Sequence, residues 1–167
     1  MFDAYLEVNT GSKISIKDDN RINLGNPLAT FFIIYTKIDH MGDEVEEYLW
    51  FNQLESKTDK NIRLLARIYH GEDRDWLLSE YEEYISVWHY DPISEEEFRD
   101  FVVKLERMWT PIDEVIVIVK EIIRILPSME ETYWYAEFDT QPAFKALLSS
   151  LILARNTGDE KVRIQLV

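Results

Sequence analysis

The segment TPIDEVIVIVKEIIRIL, residues 110–126, constrains the fold most, because no other part of the chain is as apolar. Its polar residues recur at helical spacing on one side, and Val117 is the one aliphatic residue on that polar stripe. Thr110 is a suitable N-cap, and Pro111 suits the first helical position, where no amide hydrogen bond is lost. The residues expected to face inward are Ile112, Val115, Ile118, Val119, Ile122 and Leu126. The segment therefore predicts a core helix.

One alternative for this segment is a buried strand over the β-branched run Val115–Val119. Short apolar runs fit a buried strand as well as a buried helix. The periodic pattern continues through Lys120 and Glu121 to Arg124, and this length favours the helix. Either element would supply a core, and a core alone indicates no function.

The composition of the chain limits its class. At 167 residues it is long enough to bury a hydrophobic core without disulfides, and it has no cysteine for a disulfide or a thiolate metal site. The start of the sequence lacks the basic and apolar regions of a signal peptide, and no apolar run reaches the roughly 18 residues of a membrane span. We expect a soluble, cytoplasmic protein and a single α+β domain over residues 1–167.

The net charge of −14 is concentrated in one part of the sequence. Residues 71–100 hold 11 acidic and 2 basic side chains, a net charge of −9. Residues 1–70 and 101–167 carry only −3 and −2. Nucleic acid and anionic membranes are disfavoured as partners, because contacts with their phosphates would be repulsive.

The first seventy residues favour strands. Alternation and turn residues predict strands over Met1–Val8, Lys13–Lys17 and Arg21–Leu24, and the apolar run Thr30–Ile38 predicts a fourth. Residues 25–27, Gly-Asn-Pro, are expected to break the chain before that fourth strand.

Two further segments, Glu46–Leu54 and Ile62–Tyr69, fit either a strand or a helix. In the second, Ile62, Leu65 and Ile68 have helical spacing, with a possible cap at Asp59 and a stop at Gly71, but the apolar residues also alternate with Arg63 and Arg67. The strand reading is favoured for both segments. It predicts a largely antiparallel N-terminal sheet.

The rest of the chain predicts three or four helices and a C-terminal strand–helix–strand unit. Helices are expected over Arg74–Trp88 and, after a Ser94 capping box, over Glu95–Met108. An aromatic strand over Thr132–Phe138, a helix from Thr140 to Arg155 and a last strand over Val162–Leu166 then follow. The two strands of this unit would be parallel, joined by a right-handed crossover.

Few residues indicate chemistry. The histidines His40, His70 and His89 have acidic neighbours but none of the spacings typical of metal sites, so no metal or cofactor is expected. No serine lies in a glycine-flanked elbow, and the glycines form no phosphate-binding loop. The best carboxylate pair is Glu137 and Asp139, before a helix, which would suit an enzyme acting on a small molecule. The simpler interpretation is that Asp139 or Thr140 caps the helix and Glu137 is exposed.

The acidic block, residues 71–100, contains aromatic residues interspersed among the acidic ones. One interpretation is the solvated face of two helices, in which Tyr81, Tyr84 and Trp88 share an inward stripe with Leu77. Aromatic side chains left outside among carboxylates would instead resemble an interface for a basic protein. The candidate partner-binding residues are Trp76, Glu80, Glu82 and Glu83. This hypothesis predicts an interaction module, similar by charge alone to an inhibitor or immunity protein.

Overall fold

The computed structural model describes residues 4–9, 21–70, 94, 96, 99–100, 103, 107–130 and 140–166. Within these ranges five strands form one sheet: β1 (Ala4–Val8), β2 (Arg21–Gly25), β3 (Tyr69–His70), β4 (Thr110–Pro111) and β5 (Lys161–Leu166). The predicted strands at the start of the chain, at residues 21–24 and at the C-terminal end are confirmed.

Strand β5 holds the sheet together. On one side it pairs antiparallel with β1, which pairs antiparallel with β2. On its other side it pairs parallel with β3 and, nearer its start, antiparallel with β4. Val162 and Ile164 lie in the hydrophobic core with Leu6 of β1, whereas Arg163 faces the opposite side of the sheet because successive residues of a strand alternate.

The helices are α1 (Asn26–Thr36), α2 (Glu46–Ser56), α3 (Leu64–Arg67), α4 (Ile112–Ile125) and α5 (Thr140–Asn156), with short 3₁₀ turns at Ile38–His40 and Leu126–Ser128. One hydrophobic cluster includes buried side chains from all five helices and from β1 and β5. The α+β class is thus confirmed. The single domain over residues 1–167 stays a prediction.

Helix α4 confirms the predicted core helix, with one correction at its start. All six residues expected to face inward are buried, and Val117 is 48% exposed. Thr110 and Pro111, however, form β4, and the helix begins at Ile112. Thr110 Oγ1 donates to Met108 O instead of capping the helix. The prediction of the cap was wrong because pairing with β5 uses these two residues.

The predicted strand over Thr30–Ile38 is wrong, since residues 26–36 form α1. Pro27 lies in the first turn, and Gly25, the last residue of β2, has φ of +78° and directly precedes the helix. The fully buried Phe31 lies against aromatic rings from α2 and α5, including those of Phe51 and Phe144 at 5.2 and 4.8 Å. A helix buries such rings at positions three and four apart, and the apolar run alone did not distinguish it from a strand.

The strand predictions for Glu46–Leu54 and Ile62–Tyr69 are also wrong. The first segment lies in α2, which buries Trp50, Phe51 and Leu54. The second contains the short helix α3 and ends at Tyr69, the first of the two residues of β3. Among the described N-terminal residues, the antiparallel sheet is therefore limited to β1 and β2.

Helix α5 ends as predicted, at Asn156-Thr157-Gly158. Gly158 has φ of +100°, its amide donates to Arg155 O, and the Asp159 amide donates to Ala154 O. These two hydrogen bonds satisfy carbonyls of the last turn, as in a Schellman motif.

Several predicted elements lie outside the described residues. They are the strands over 13–17 and 132–138 and the helix over 74–88, and with residues 132–138 the parallel strand–helix–strand unit is also untested. Of the helix predicted over Glu95–Met108, positions 96, 99, 100, 103 and 107 are described and are helical, whereas Met108 lies in a turn. No helix in the described ranges is long and apolar enough to cross a bilayer.

Candidate functional site

The site residues predicted from the sequence lie outside the described ranges. These are Trp76, Glu80, Glu82 and Glu83 of the acidic block and the carboxylate pair Glu137 and Asp139. Both site hypotheses therefore stay predictions. The described residues form two other polar arrangements, an open groove on α4 and a buried ion pair in the sheet.

The groove lies between the chain 61–67 and the outer side of α4. It has a volume of about 320 Å³ and is lined by Asn61, Leu64, Arg67, Glu114, Val117 and Ile118. Its surface combines three aliphatic side chains with one cation, one carboxylate and one amide. This volume falls in the range of small-molecule pockets, which starts near 300 Å³.

One end of the groove is fixed by hydrogen bonds between the preceding loop and α4. Thr58 Oγ1 donates to Glu121 Oε1 at 2.8 Å, and Arg124 donates to the same oxygen at 2.6 Å. Arg124 also reaches the carbonyl of Lys57 at 3.5 Å. Glu121 therefore connects the loop to the helix one turn beyond Ile118.

These bonds stabilise the charged form of Glu121. Hydrogen bonds from Arg124 and then Thr58 lower the pKa of Glu121 from 4.5 to about 2. A carboxyl group with a lowered folded pKa stabilises the fold above its unfolded pKa and loses that effect as the pH falls. The loop should therefore stay attached to α4 across the neutral range.

The wall of the groove formed by residues 61–67 is held in place by Arg63, just before α3. Its guanidinium donates to Asp39 Oδ2 at 2.8 Å and to Glu55 Oε1 at 2.7 Å. Tyr35 Oη donates to the same Glu55 oxygen at 2.8 Å, and burial followed by this carboxylate raises the pKa of Tyr35. The two ion pairs connect α3 with α2 and with the 3₁₀ turn after α1.

The two charged residues of the groove, Arg67 and Glu114, are exposed. Neither forms an ion pair or a side-chain hydrogen bond among the described residues. The neighbouring Asp113 differs, because it pairs with Arg155 of α5 at 3.2 Å. Arg67 and Glu114 are therefore available to a bound molecule.

The second arrangement is a buried ion pair across β1 and β5. Glu7 and Arg163 lie directly opposite each other, and Arg163 Nε donates to Glu7 Oε2. Their side chains are only 5% and 2% exposed. The Arg163 guanidinium also lies 4.4 Å from the ring centroid of Trp109, at cation–π distance. Burial and pairing of this kind fix the pairing of β1 with β5.

A buried carboxyl group lies where α5 turns into β5. Asp159 is 8% exposed, and its Oδ1 has no hydrogen-bond partner among the described residues. Thr157 Oγ1 donates to Oδ2 at 3.4 Å. Burial raises the pKa of Asp159 above its ordinary 3.8, and the hydrogen bond from Thr157 offsets this only in part.

Replacing Asp159 with asparagine should stabilise the protein at neutral pH by about 1 kcal/mol, because a buried carboxylate without full hydrogen bonding is costly. The wild type should lose stability as the pH rises from 3.8 through the raised folded pKa, whereas Asp159→Asn should not. Urea melts at several pH values measure the difference. Glu160→Gln, an exposed neighbour, is the control. Equal pH profiles for Asp159→Asn and wild type would refute the prediction.

The described residues offer no group of three or more acidic, histidine or cysteine side chains that could hold a metal ion. His40 is exposed, and the side chains of His70 and His89 are not described. The sequence predicted no groove here; its one local signal was Val117, an aliphatic residue on a polar stripe. Arg67 carried no comparable signal, since nothing local places it beside α4.

Comparison with known proteins adds no assignment: no family model matches the chain, and the searches of curated proteins and of solved structures found no significant match.

Proposed function

We propose that the protein is an interaction module that binds a basic protein partner through the acidic block, residues 71–100. Trp76 would anchor the partner, and Glu80, Glu82 and Glu83 would form the charged rim. The cytoplasm is the proposed location, since a chain without cysteine suits a reducing compartment. The same charge disfavours nucleic acid and anionic membranes as partners.

The observation that carries the proposal is the uneven distribution of charge. Outside the block, the described residues hold 13 basic and 14 acidic side chains, a net charge of 13 − 14 = −1. The block alone has 2 − 11 = −9. Several charges of the described residues are neutralised within the fold, as in the pairs of Arg63 and of Arg124. A localised negative field of this kind attracts a basic surface and accelerates its association.

The described residues at the end of the acidic block, together with Val103 just after it, form an accessible surface. Glu96, Asp100 and Val103 are exposed and helical, and their spacing places them on one face. Val103 is 47% exposed, so this face combines carboxylates with an apolar side chain. Such a mixture is typical of the rim of an interface.

Trp76 and the carboxylates should contribute to binding in different ways. Buried aromatic anchors dominate the free energy of many interfaces, and their truncation often costs 2 kcal/mol or more. Rim charges instead steer the encounter and act mainly on the association rate. Trp76→Ala should therefore accelerate dissociation of a basic partner and preserve the salt dependence of its association.

The experiment is capture of partners from the native host at low salt, repeated at high salt, followed by kinetic measurements with the purified partner. The captured protein should be basic and should be released at high salt. Leu49→Ala is the matched control, since Leu49 is 56% exposed and lies outside the block. Leu49→Ala should leave dissociation unchanged. If Trp76→Ala and Glu80/Glu82/Glu83→Gln both retain wild-type rates, the block is solvated surface and the proposal is wrong.

A further inference from the structure

The groove beside α4 has a charged end and an apolar remainder. The direction in which residues 58–67 run along α4 decides which residues lie at each end. Thr58 contacts Glu121, and the residues that follow line the groove with Glu114, Val117 and Ile118. Tyr69, just after this chain, pairs with Ile164 of β5, two residues from the pairing of Thr110 with Val162, so the chain from 58 to 67 runs antiparallel to α4. Arg67, the last groove residue of this chain, lies at the same end as Glu114, the first groove residue of α4.

This end presents two opposite charges on opposite walls. Neither has an ion-pair partner among the described residues, so a ligand would not have to displace one. A guanidinium binds carboxylate through a planar fork of donors, and a carboxylate accepts hydrogen bonds from an ammonium group. The pair is complementary to a head group that carries an anion and a cation side by side.

The remainder of the groove is suited to an aliphatic body. Leu64, Val117 and Ile118 line it, and Val117 presents a 48% exposed aliphatic side chain. Covering this side chain would remove apolar surface from water, which favours binding. Asn61 adds one amide at the far end.

We infer that the groove is a binding site for a small zwitterion with an aliphatic side chain, the chemistry of a free aliphatic α-amino acid. Its carboxylate pairs with Arg67, its ammonium group pairs with Glu114, and its side chain covers Val117. The site is already formed in the free protein, because Thr58–Glu121 connects the chain before residues 61–67 to α4 and Arg63–Glu55 connects that wall to α2. It is separate from the acidic block and does not depend on the proposed function.

The test is titration of the full chain with L-leucine, followed by amide chemical shifts in ¹H–¹⁵N spectra. Saturable shifts are expected at residues 61–67 and 114–118. N-acetyl-L-leucine lacks the ammonium group, L-leucinamide lacks the carboxylate, and glycine lacks the aliphatic body. Each should bind at least about tenfold more weakly, the loss expected when a charged contact or an apolar contact is removed.

Variants of the two charged residues distinguish this site from general surface binding. Arg67→Gln and Glu114→Gln should each weaken leucine binding by about tenfold or more. Lys120→Gln, on the exposed side of α4 and outside the groove, should bind leucine as the wild type does. The absence of saturable shifts in the groove up to the solubility limit of leucine would overturn the inference. Equal binding of leucine, its two derivatives and the variants would overturn it as well.

Discussion

Replacing Arg163 with methionine is expected to destabilise the protein by about 3–5 kcal/mol. The change leaves the Glu7 carboxylate without its arginine partner at a position where the side chain is only 5% exposed. It also removes the guanidinium from the ring of Trp109. Urea denaturation followed by circular dichroism gives the free energy of unfolding.

Two further variants establish the cause of that loss. The double variant Glu7→Leu/Arg163→Met should recover most of the stability, because removing both charges also removes the cost of burying the Glu7 carboxylate without its arginine. Arg155→Met, which breaks the ion pair with Asp113 between side chains that are 44% and 79% exposed, should cost at most about 1 kcal/mol. If Arg163→Met costs no more than Arg155→Met, the buried pair does not hold β1 against β5.

The second large effect concerns α4. Ile122 is fully buried in the hydrophobic cluster, and Ile122→Ala should cost about 2–5 kcal/mol through lost burial and the cavity left behind. Val117→Ala, on the same helix but 48% exposed, is the matched control and should change the free energy of unfolding by about 0.5 kcal/mol or less. Urea melts of both variants measure the two costs. A small cost for Ile122→Ala would contradict the central position of this helix in the core.

The sequence predicted α4 correctly because its apolar and polar residues repeat over several turns. Ile122 is buried and Val117 is exposed because of their positions in that repeat, which is a local property of the sequence. The first turn was predicted wrongly at Thr110 and Pro111. Their pairing with β5 depends on residues about fifty positions later in the chain, and a local pattern carries no information about it.

Helix α1 was not predictable from its own residues. The apolar run after Thr30 fits a strand and a helix equally well. Which of the two forms depends on aromatic partners that are distant in sequence. Phe31 contacts Trp50 and Phe51 of α2 and Phe144 of α5, with ring centroids 4.8 to 6.5 Å apart. The helical spacing of Phe31 and Tyr35 was the one local signal.

The polar arrangements also depend mainly on contacts between residues that are distant in sequence, which local patterns do not show. Glu7 and Arg163 are 156 positions apart, so no motif could have indicated their pairing. The groove combines Val117, which the sequence had marked, with Arg67 from a segment predicted as a strand. The residues selected for function, Trp76 and the three glutamates Glu80, Glu82 and Glu83, were chosen from charge and spacing and stay predictions.

The most direct test of the proposed docking surface is the salt dependence of association with a captured basic partner. Two variants remove the same number of charges: Glu80/Glu82/Glu83→Gln inside the block, and Asp43→Asn/Glu44→Gln/Glu47→Gln outside it, where Asp43 and Glu44 are exposed just before α2 and Glu47 is half-buried in its first turn. Stopped-flow association rates are measured for each variant and for the wild type across a range of ionic strength. The block variant should lose most of the salt dependence, and the α2 variant should retain it, because steering depends on charges close to the contact. Equal slopes for the two variants would show that net charge alone attracts the partner and would contradict docking at residues 71–100.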